Sequence, residues 1–425
     1  MNVWLVKVGE PLPTDGTNVR LLRVGSLAST LTELGHSVLW WSSTFDHTHK
    51  TQRAHGDVTV EVRRGYRLRM MRSIGYEKNV SIRRVIDHVE LGRRFARAMR
   101  EESRPDVIFC ALPTIELAMV AARYGRRMAV PVVLDVRDLW PDAFAQFAPL
   151  WARPLARLAL WPLEAAVRSA CVGAHAITGI NDAFVDWGVR HAGRSRRGSD
   201  RVFPLGFSER PPSEEAQRTA VEHWRQLGVT EGDGTFNICF VGTMGRHVDL
   251  RSIIDAARSL RDERPSIRLF LCGRGDHLDS YRERARGCDN VIFTGWIGAA
   301  EIWTLMRLSA VGLAPYHNTP DFLVSVPNKA VEYLSAGLPI VSPLQGVLAN
   351  LLRDEACGVT VPEHDAQSLA TCLRGLRDDP DRLAAMSANA LRVFEERFVS
   401  ERINADLCAY LEETARNGVG SRLPL

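Results

Sequence analysis

The chain has 425 residues, and 54 Lys and Arg against 50 Asp and Glu leave a formal net charge of +4. About two to four domains fit this length. A hydrophobic share of 45% with 24% charged residues is typical of an ordinary globular protein, which excludes collagen, coiled-coil arrays and wholesale disorder. Eight cysteines without a C-x-x-C pair exclude a disulfide scaffold and predict reduced thiols in a cytoplasmic protein. So small a net charge predicts no nucleic-acid partner.

The first half of the chain alternates short apolar strands with amphipathic helices. Strands are predicted at 3–8, 36–42, 106–110 and 130–135, and helices at 19–34 and 115–124. Because each strand is apolar on both faces, we expect a parallel sheet that helices cover on both sides. No uninterrupted apolar run reaches the roughly 18 residues that a membrane-spanning helix needs. The basic segment 190–201 is predicted to be a mobile surface loop.

The second half repeats this alternation after a segment at 209–234 that is predicted to connect two domains. Further strands are predicted at 236–241, 267–272, 290–294, 311–315, 339–342 and 358–361, and two helices at 382–398 and 400–415. The predicted fold class is therefore α/β, with doubly wound, Rossmann-like domains at 1–208 and 230–399. Ligands bind at the carboxyl ends of the strands in such sheets, so two domains facing across a cleft suit transfer from a donor to an acceptor.

The first strand of the second domain leads into a candidate anion site. Gly242 and Gly245 allow a tight turn, and Arg246 and the start of the next helix at 246–250 add positive charge. An ordinary turn between strand and helix explains the same residues equally well. The turn lacks the G-x-G-x-x-G pattern of a dinucleotide fold, which argues against NAD.

The densest pattern is Ser325-Val-Pro-Asn-Lys-Ala-Val-Glu332, at the start of a predicted helix. Lys329 and Glu332 are three residues apart and can project from one face of the first turn. The lysine can neutralise a diphosphate, and the glutamate can accept hydrogen bonds from a ribose diol. The alternative is an exposed helix pair worth only about 0.3 kcal/mol. Because the chain has only four lysines, the isolated Lys329 favours function.

Six segments in the second half resemble the group 1 glycosyltransferases, which are retaining enzymes of the GT-B fold. These segments lie at 240–246, 271–276, 291–297, 312–316, 327–341 and 358–365. The resemblance implies that Arg246 and Lys329 hold the diphosphate of a UDP-sugar and that Glu332 holds the ribose. It also implies that the backbone at Gly295, Trp296 and Ile297 meets the base. Ser325 and Asn328 complete the candidate donor site.

The chain departs from the family in its paired-glutamate motif, E-x7-E. Glu332 matches the second glutamate, whereas the first falls on Val324, so that Asp321 would have to contact the donor sugar instead.

The first domain resembles the family through the loop at 9–18, where Gly16 and Thr17 would lie near the reacting phosphate. Asn18 and Arg20 could add polar contacts, although a plain loop with a polar cap explains them equally well.

The string Asp-Leu-Trp-Pro at 138–141 resembles a subgroup that transfers N-acetylated amino sugars in surface-polysaccharide assembly. Asp138 is the candidate to contact a sugar, with Asp135 beside it at the end of a strand and Trp140 as a packing or lipid-facing ring. The alternative is that Asp138 caps a helix that Pro141 opens.

The segment 144–168 combines Trp and Arg with apolar residues. Burial between helices is the favoured interpretation, and contact with a membrane interface is the alternative. In the resembled fold the last helix, at about 400–417, crosses back onto the first domain. The twelve histidines show no H-E-x-x-H spacing, so no metal site is predicted.

The resemblance implies transfer, with retention and without a metal or other cofactor, of an N-acetylhexosamine or its deoxy relative from a UDP-sugar. The acceptor would be a polyprenyl-diphosphate-linked lipid or a saccharide, at the inner face of the plasma membrane. Two alternatives remain, a sugar-nucleotide epimerase of the same fold and a non-catalytic binding partner of a transferase, the latter because of Val324.

Overall fold

The computed structural model describes residues 1–16, 19–78, 81–142, 153–264 and 266–418. The chain forms two compact units, one of Met1–Pro204 with Glu401–Leu425 and one of Leu205–Ser400. Outside the described residues lie Thr17, Asn18 and residues 143–152. The candidate roles of Thr17 and Asn18 and the apolar positions 144, 147, 150 and 151 are therefore not described.

The described strands are β1 Asn2–Val6, β2 Ser37–Ser43, β3 Phe45–Asp46, β4 Thr51–Gln52, β5 Val58–Arg63, β6 Tyr66–Met71, β7 Val107–Leu112, β8 Val132–Val136, β9 Ala176–Gly179, β10 Arg201–Val202, β11 Phe236–Val241, β12 Ile267–Cys272, β13 Val291–Gly295, β14 Val311–Leu313, β15 Ile340–Ser342 and β16 Gly358–Thr360. The described helices are α1 Arg23–Glu33, α2 Ile82–Ala98, α3 Ile115–Met128, α4 Arg153–Gly173, α5 Asp182–Ala192, α6 Glu214–Gln226, α7 Arg251–Ser259, α8 Leu278–Arg284, α9 Ala299–Arg307, α10 Pro320–Leu323, α11 Asn328–Ser335, α12 Val347–Asp354, α13 Ala366–Arg377, α14 Pro380–Arg397 and α15 Ser400–Gly418.

Unit 1 contains a sheet in the order β10-β9-β8-β7-β1-β2-β6-β5, parallel except for the antiparallel pair β5–β6. Every residue of β7 is buried, as expected for a strand that helices cover on both faces. In β5, by contrast, exposed and half-buried residues alternate, which is the pattern of an edge strand with one solvated face.

Helix α1 begins at Arg23, four residues after the predicted start. The loop before α1 carries the buried Glu10, and its carboxylate accepts a hydrogen bond from the Val24 amide of the helix at 3.1 Å. Glu10 thereby satisfies one of the free amides at the helix start, and the chain before Arg23 is held in a loop.

The last helix, α15, belongs to unit 1. Leu407, Cys408 and Leu411 are buried in the core of this unit. Asn404 donates to the Ser26 hydroxyl at 2.7 Å, and Tyr410 donates to the Ser199 carbonyl at 2.8 Å. The end of the chain is therefore an integral part of the domain that its beginning forms.

The segment 190–201, predicted to be a mobile loop, is anchored by a buried carboxylate. Asp200 accepts hydrogen bonds from Arg194 at 2.5 and 2.8 Å and from the Ile177 amide at 2.9 Å. The prediction was wrong because it counted the arginines as solvated charges and could not see that the fold pairs Arg194 with Asp200.

Helix α4 contradicts the favoured interpretation of the segment 144–168 as buried core. Leu155, Leu158 and Trp161 are exposed, with 65% of Trp161 accessible. The opposite face of α4 lies against α3, where Gly173 approaches so closely that a Cβ there would be 3.0 Å from Ala122. Among the described residues no helix is long and apolar enough to cross a membrane.

Unit 2 contains a six-stranded parallel sheet in the order β13-β12-β11-β14-β15-β16. This is the doubly wound order, with its switch point between β11 and β14, and β11 and β12 match the predicted strands residue for residue. The unit begins earlier than the predicted residue 230. Within the presumed connector, α6 buries Trp224, whose indole donates to the Glu301 carbonyl at 2.9 Å.

Candidate functional site

The loops that follow β11 and β12 are joined by backbone hydrogen bonds at the carboxyl edge of the unit 2 sheet. The Gly242 amide donates to Cys272 at 2.9 Å, and the Met244 amide donates to Arg274 at 2.9 Å. A Cβ on Gly273, which has φ +140°, would lie 1.9 Å from the Gly242 oxygen. The tight approach therefore requires glycine at 273, not at the predicted Gly242 and Gly245, whose φ angles are not positive.

Arg246 lies in an exposed turn five residues before α7, which begins at Arg251. The start of that helix is already occupied by a carboxylate, because Asp249 accepts hydrogen bonds from the Arg251 amide at 3.1 Å and the Ser252 hydroxyl at 2.8 Å. Burial opposes ionisation of Asp249, but hydrogen bonds from His364, Ser252 and Arg251 outweigh it and lower its pKa to about 2. The predicted helix start at 246–250 is therefore wrong, because the helix begins at Arg251 behind the Asp249 carboxylate, and Arg246 lies in the turn before it.

Lys329 and Glu332 form an ion pair at the start of α11, with Nζ 2.8 Å from Oε2. The Glu332 side chain is only 3% exposed, so this is not the exposed surface pair of the alternative interpretation. Helix α11 is fastened to the end of β11 because the Val241 amide donates to the buried Tyr333 hydroxyl at 3.1 Å. The ion pair is thus fixed beside the switch point, where doubly wound sheets bind ligands.

The other candidate donor-site residues of unit 2 surround the same edge in different environments. Gly295 has φ +73° and accepts the Gly273 amide at 2.7 Å. Trp296 is exposed and Ile297 is buried. Asn328 is exposed as the first residue of α11.

Asp321 and Val324 are the two positions tied to the missing glutamate, and they lie in the short helix α10 and directly after it. The Ser325 hydroxyl, a candidate donor contact, donates to the Asp321 carbonyl at 3.1 Å. Val324 is the C-cap of α10, so the position of the missing glutamate is at the end of this helix.

In unit 1, Asp135 is fully buried and paired. Arg23 contacts its two oxygens from Nε at 3.1 Å and Nη2 at 3.2 Å, and Thr178 donates to it at 2.9 Å. All of these contacts lie inside the unit, so Asp135 holds α1 against the end of β8.

Asp138 is exposed, and its charge only partly opposes the lowering of the pKa of Lys7 by burial and by Arg137. The neighbouring Trp140 packs against Arg84, with the guanidinium carbon 4.4 Å from the ring centroid. A helix opened by Pro141 would fall mostly at 143–152, outside the described residues. Gly16 and Arg20 are exposed in their loop.

A group of cations lies beside Asp138 in unit 1. Burial, and then the charge of Arg137, lowers the pKa of Lys7 to about 8, against the opposing effect of Glu10. Burial, and then Lys50, Arg84 and Lys7, lowers the pKa of His47 to about 4. Like charges that are held together in a partly buried place favour the binding of an anion.

Comparison with known proteins identifies part of the chain. Residues 235–379 match the family model described as "Glycosyl transferases group 1". The segment that matches contains Arg246, Lys329 and Glu332. This segment of unit 2 is therefore similar to the group 1 glycosyltransferases.

Two curated relatives of this chain come from Escherichia coli. O-antigen chain mannosyltransferase C is 27% identical over 206 residues, covering 48% of this chain and 51% of the relative. The putative colanic acid biosynthesis glycosyltransferase WcaL of strain K12 is 27% identical over 168 residues, covering 38% of this chain and 41% of the relative. The chain therefore spans about half the length, or less, of the curated relatives that it matches.

Solved structures match nearly the whole chain. Sucrose-phosphate synthase from Thermosynechococcus elongatus has a TM-score of 0.72 at 16% identity and covers 98% of this chain and 99% of its own. Anabaena Alr3699/HepE in complex with UDP-glucose has a TM-score of 0.63 at 17% identity, with coverage of 97% and 100%. At such identities the likeness shows the fold alone, and it confirms the predicted GT-B class.

Sequence reasoning missed several residues near the candidate sites. Lys7, Glu10, Arg23 and Arg137 come from three separate segments, and none has a motif. One signal was available, because Lys7 is one of only four lysines. Gly273 lies in the segment 271–276 that resembles the family, but its importance became visible only through the contact with Gly242.

Proposed function

We propose that the protein is a glycosyltransferase that moves a sugar from a UDP-sugar, with retention, in the synthesis of a cell-surface polysaccharide. The observation that carries this proposal is the partly buried Lys329–Glu332 pair at the switch point of a group 1 glycosyltransferase domain. The O-antigen and colanic acid relatives support the pathway, and the UDP-glucose bound to HepE supports the class of donor.

The reaction breaks the bond between the sugar C1 and the diphosphate oxygen, so negative charge develops on the leaving UDP. Lys329 and Arg246 supply fixed positive charge to that diphosphate, which is why the proposed transfer needs no metal or other cofactor. On binding, Lys329 exchanges its contact with Glu332 for a phosphate, and the freed Glu332 carboxylate accepts hydrogen bonds from the ribose diol. Gly295, Trp296 and Ile297 are proposed to line the base.

Retention places the attacking acceptor hydroxyl on the same face as the leaving group, where a phosphate oxygen of UDP can take its proton. An essential general base is then not required. His247 and Asp138 are secondary candidates to accept the proton. Burial, and then the charge of Arg246, lowers the pKa of His247, so that its imidazole is neutral at pH 7.

The acceptor is proposed to carry a phosphate, as a polyprenyl-diphosphate-linked lipid does, with a plain saccharide as the alternative. Four side chains of unit 1 support this choice. After the larger effect of burial, the pKa of His47 is lowered by the charges of Lys50, Arg84 and Lys7. The pKa of Lys50 is likewise lowered by burial and then by the charge of Arg84. An anion would relieve this repulsion. Asp138, in the string that resembles the amino-sugar subgroup, is proposed to contact an N-acetylhexosamine or a deoxy relative.

A membrane-bound acceptor requires the protein to reach the membrane, and unit 1 has a suitable surface. In α2 the apolar residues Ile82, Val85, Ile86 and Val89 form an exposed stripe, and in α4 Leu155, Leu158 and Trp161 are exposed. Both helices pack against α3. We call these seven residues the apolar face of unit 1 and propose that it contacts the inner face of the plasma membrane.

An epimerase of the same fold and a non-catalytic binding subunit are the alternative functions. An epimerase would convert a UDP-sugar without any acceptor, and a binding subunit would release no UDP at all. Val324 favours the binding subunit, whereas the intact Arg246, Lys329 and Glu332 favour the transferase.

Calorimetry with UDP, GDP, ADP and NAD tests the donor site, with Lys329→Ala, Glu332→Gln and the exposed-lysine control Lys78→Ala. We expect UDP to bind best. Transfer measured by UDP release with a membrane extract should fall about 100-fold in Lys329→Ala, because one fixed charge contributes about 3 kcal/mol to the transition state. Lys78→Ala should change neither result, and transfer should not require added Mg²⁺. Equal binding of UDP and NAD, unaffected by Lys329→Ala, would overturn the proposal.

A further inference from the structure

Two histidines and a glutamate of unit 2 meet although they are far apart in the sequence. His317 follows β14, and Glu363 and His364 follow β16. The nearest ligand atoms of these three side chains all lie within 4.8 Å of one another. His317 Nδ1 is 2.7 Å from Glu363 Oε1, and His364 Nε2 is 3.6 Å from the same oxygen. Two imidazole nitrogens thus converge on one carboxylate oxygen.

The orientation of His364 is fixed by a second carboxylate. Its Nδ1 lies 2.7 Å from Oδ2 of the buried Asp249, so Nδ1 carries the proton and Nε2 presents its lone pair to Glu363. His364 holds this position with φ +62°, a backbone conformation that is uncommon for residues other than glycine. A carboxylate that fixes the far nitrogen of a histidine is the usual outer partner in metal sites.

Glu363 is fixed in a similar way. Asn318 donates to its Oε2 at 2.7 Å, which leaves Oε1 facing the two histidines. Metal–nitrogen bonds of about 2.0–2.1 Å in a tetrahedral site place neighbouring ligand atoms about 3.3 Å apart. The separation of 3.6 Å already fits this value, and the separation of 2.7 Å has to open by about 0.6 Å.

We propose that His317, Glu363 and His364 bind a divalent transition-metal ion, with Zn²⁺ as the best match. Two imidazoles and one carboxylate suit Zn²⁺, whereas Mg²⁺ and Ca²⁺ prefer sites made of oxygen alone. The Nδ1 atom of His317, which donates to Glu363 Oε1 at 2.7 Å, binds the metal when the imidazole proton moves to Nε2. Because His364 is 55% exposed, water can occupy the fourth position.

The metal would join three loops of unit 2. Besides the loops after β14 and β16, it reaches the loop after β11 through Asp249, whose amide donates to Pro315 at 2.9 Å. The His317 amide also donates to the His247 carbonyl at 3.1 Å, next to Arg246. The ion therefore has a structural role, holding the turn that carries Arg246, and takes no part in the proposed transfer.

Zn²⁺ titration of the metal-free full-length protein, by calorimetry and by thermal unfolding, tests this inference. We expect one strongly bound ion per chain and a rise in Tm that equal concentrations of Mg²⁺ or Ca²⁺ do not produce. His317→Gln and His364→Gln should each weaken Zn²⁺ binding at least tenfold. Asp249→Asn should weaken it 10- to 100-fold, as the loss of an outer partner does.

His49→Gln is the matched control. His49 Nδ1 also lies 2.9 Å from a carboxylate, that of Asp46, but among the described residues these two side chains belong to no group of three possible metal ligands. The control variant His49→Gln should leave Zn²⁺ binding unchanged. If Zn²⁺ does not bind, or binds as well to His317→Gln and His364→Gln as to the wild type, the inference is overturned; the second result would assign the ion to another place, such as a cysteine. Because His364 is exposed, His364→Gln should fold even if Asp249→Asn does not. UDP binding by the wild type is measured separately, so a failure of the Zn²⁺ test can be told apart from a failure of the proposed function.

Discussion

Lys7 shows how strongly a single residue depends on its surroundings. Among the described residues its ammonium makes no hydrogen bond or ion pair, while Glu10, Asp135 and Asp138 act on it only through their charge. Burial dominates and lowers its pKa from 10.5 to about 8. Perturbed groups of this kind are concentrated at functional sites, in line with the proposed acceptor phosphate.

The pKa of Lys7 can be measured directly because the chain has only four lysines. After reductive methylation with ¹³C, we expect one methyl signal to titrate near pH 8 and to disappear in Lys7→Met. Inorganic diphosphate should raise that midpoint if the site binds phosphate. Between pH 8 and 10.5 the unfolded chain holds a proton at Lys7 that the folded one has lost, so this group makes the free energy of unfolding rise with pH. A Lys7 signal that titrates near 10.5 would contradict the burial of its charge.

At the scale of elements, the local pattern of apolar residues located strands, whereas tertiary contacts determined where helices begin and where they pack. The alternation of apolar residues located β11 and β12 residue for residue. The same pattern misplaced the start of α1, because the hydrogen bond from the Val24 amide to Glu10, which lies outside the helix, fixes that start. It also assigned α6 to a connector, because the packing of this helix becomes visible only through the buried Trp224. The last helix is the clearest case, since α15 completes the core of a unit that begins about 400 residues earlier.

Leu407→Ala in α15 should lower the free energy of unfolding of unit 1 by about 2–5 kcal/mol, because it leaves a cavity in a packed core. Leu407 is 0% exposed, whereas Leu391 in α14 is 40% exposed and provides the control. Leu391→Ala should cost less than about 0.5 kcal/mol. Denaturant unfolding followed by hydrogen exchange of β1 and β2 would measure both. Unchanged exchange in these strands would show that α15 does not support unit 1.

At the scale of the whole molecule, the apolar face of unit 1 is the feature that the core-burial interpretation overlooked. A helix that packs on α3 with one side leaves its other side to solvent, and both α2 and α4 present apolar residues there. Such surfaces mark places of interaction. Arg83, Arg93 and Arg97 belong to α2 as well, which suits an anionic bilayer.

Ile86→Glu and Leu158→Glu should each reduce binding to vesicles that contain phosphatidylglycerol at least fivefold, because a carboxylate opposes both burial and the anionic surface. Leu391→Glu, an exposed leucine of unit 2, should have no such effect. Flotation at low and high salt measures this, and binding should weaken as salt rises. If neither variant changes flotation, the apolar face does not contact the membrane.

The sequence by itself determined the fold class, the six strands of the unit 2 sheet, the strands β1, β2, β7 and β8 of the unit 1 sheet, and the motif at Lys329 and Glu332. These features depend on the spacing of apolar residues and on short segments in which neighbours in the chain are also neighbours in space. The sequence did not predict β5, β6, β9 and β10. Only the tertiary structure decided which charges are paired: Asp135 with Arg23, Asp200 with Arg194, and His317 with Glu363. The physical reason is that Asp135–Arg23 and His317–Glu363 join distant segments of the chain that meet only when the parallel sheets have formed. Asp200 and Arg194 are close in the chain, but Asp200 is also held by the Ile177 amide of β9, a contact that the local sequence does not show.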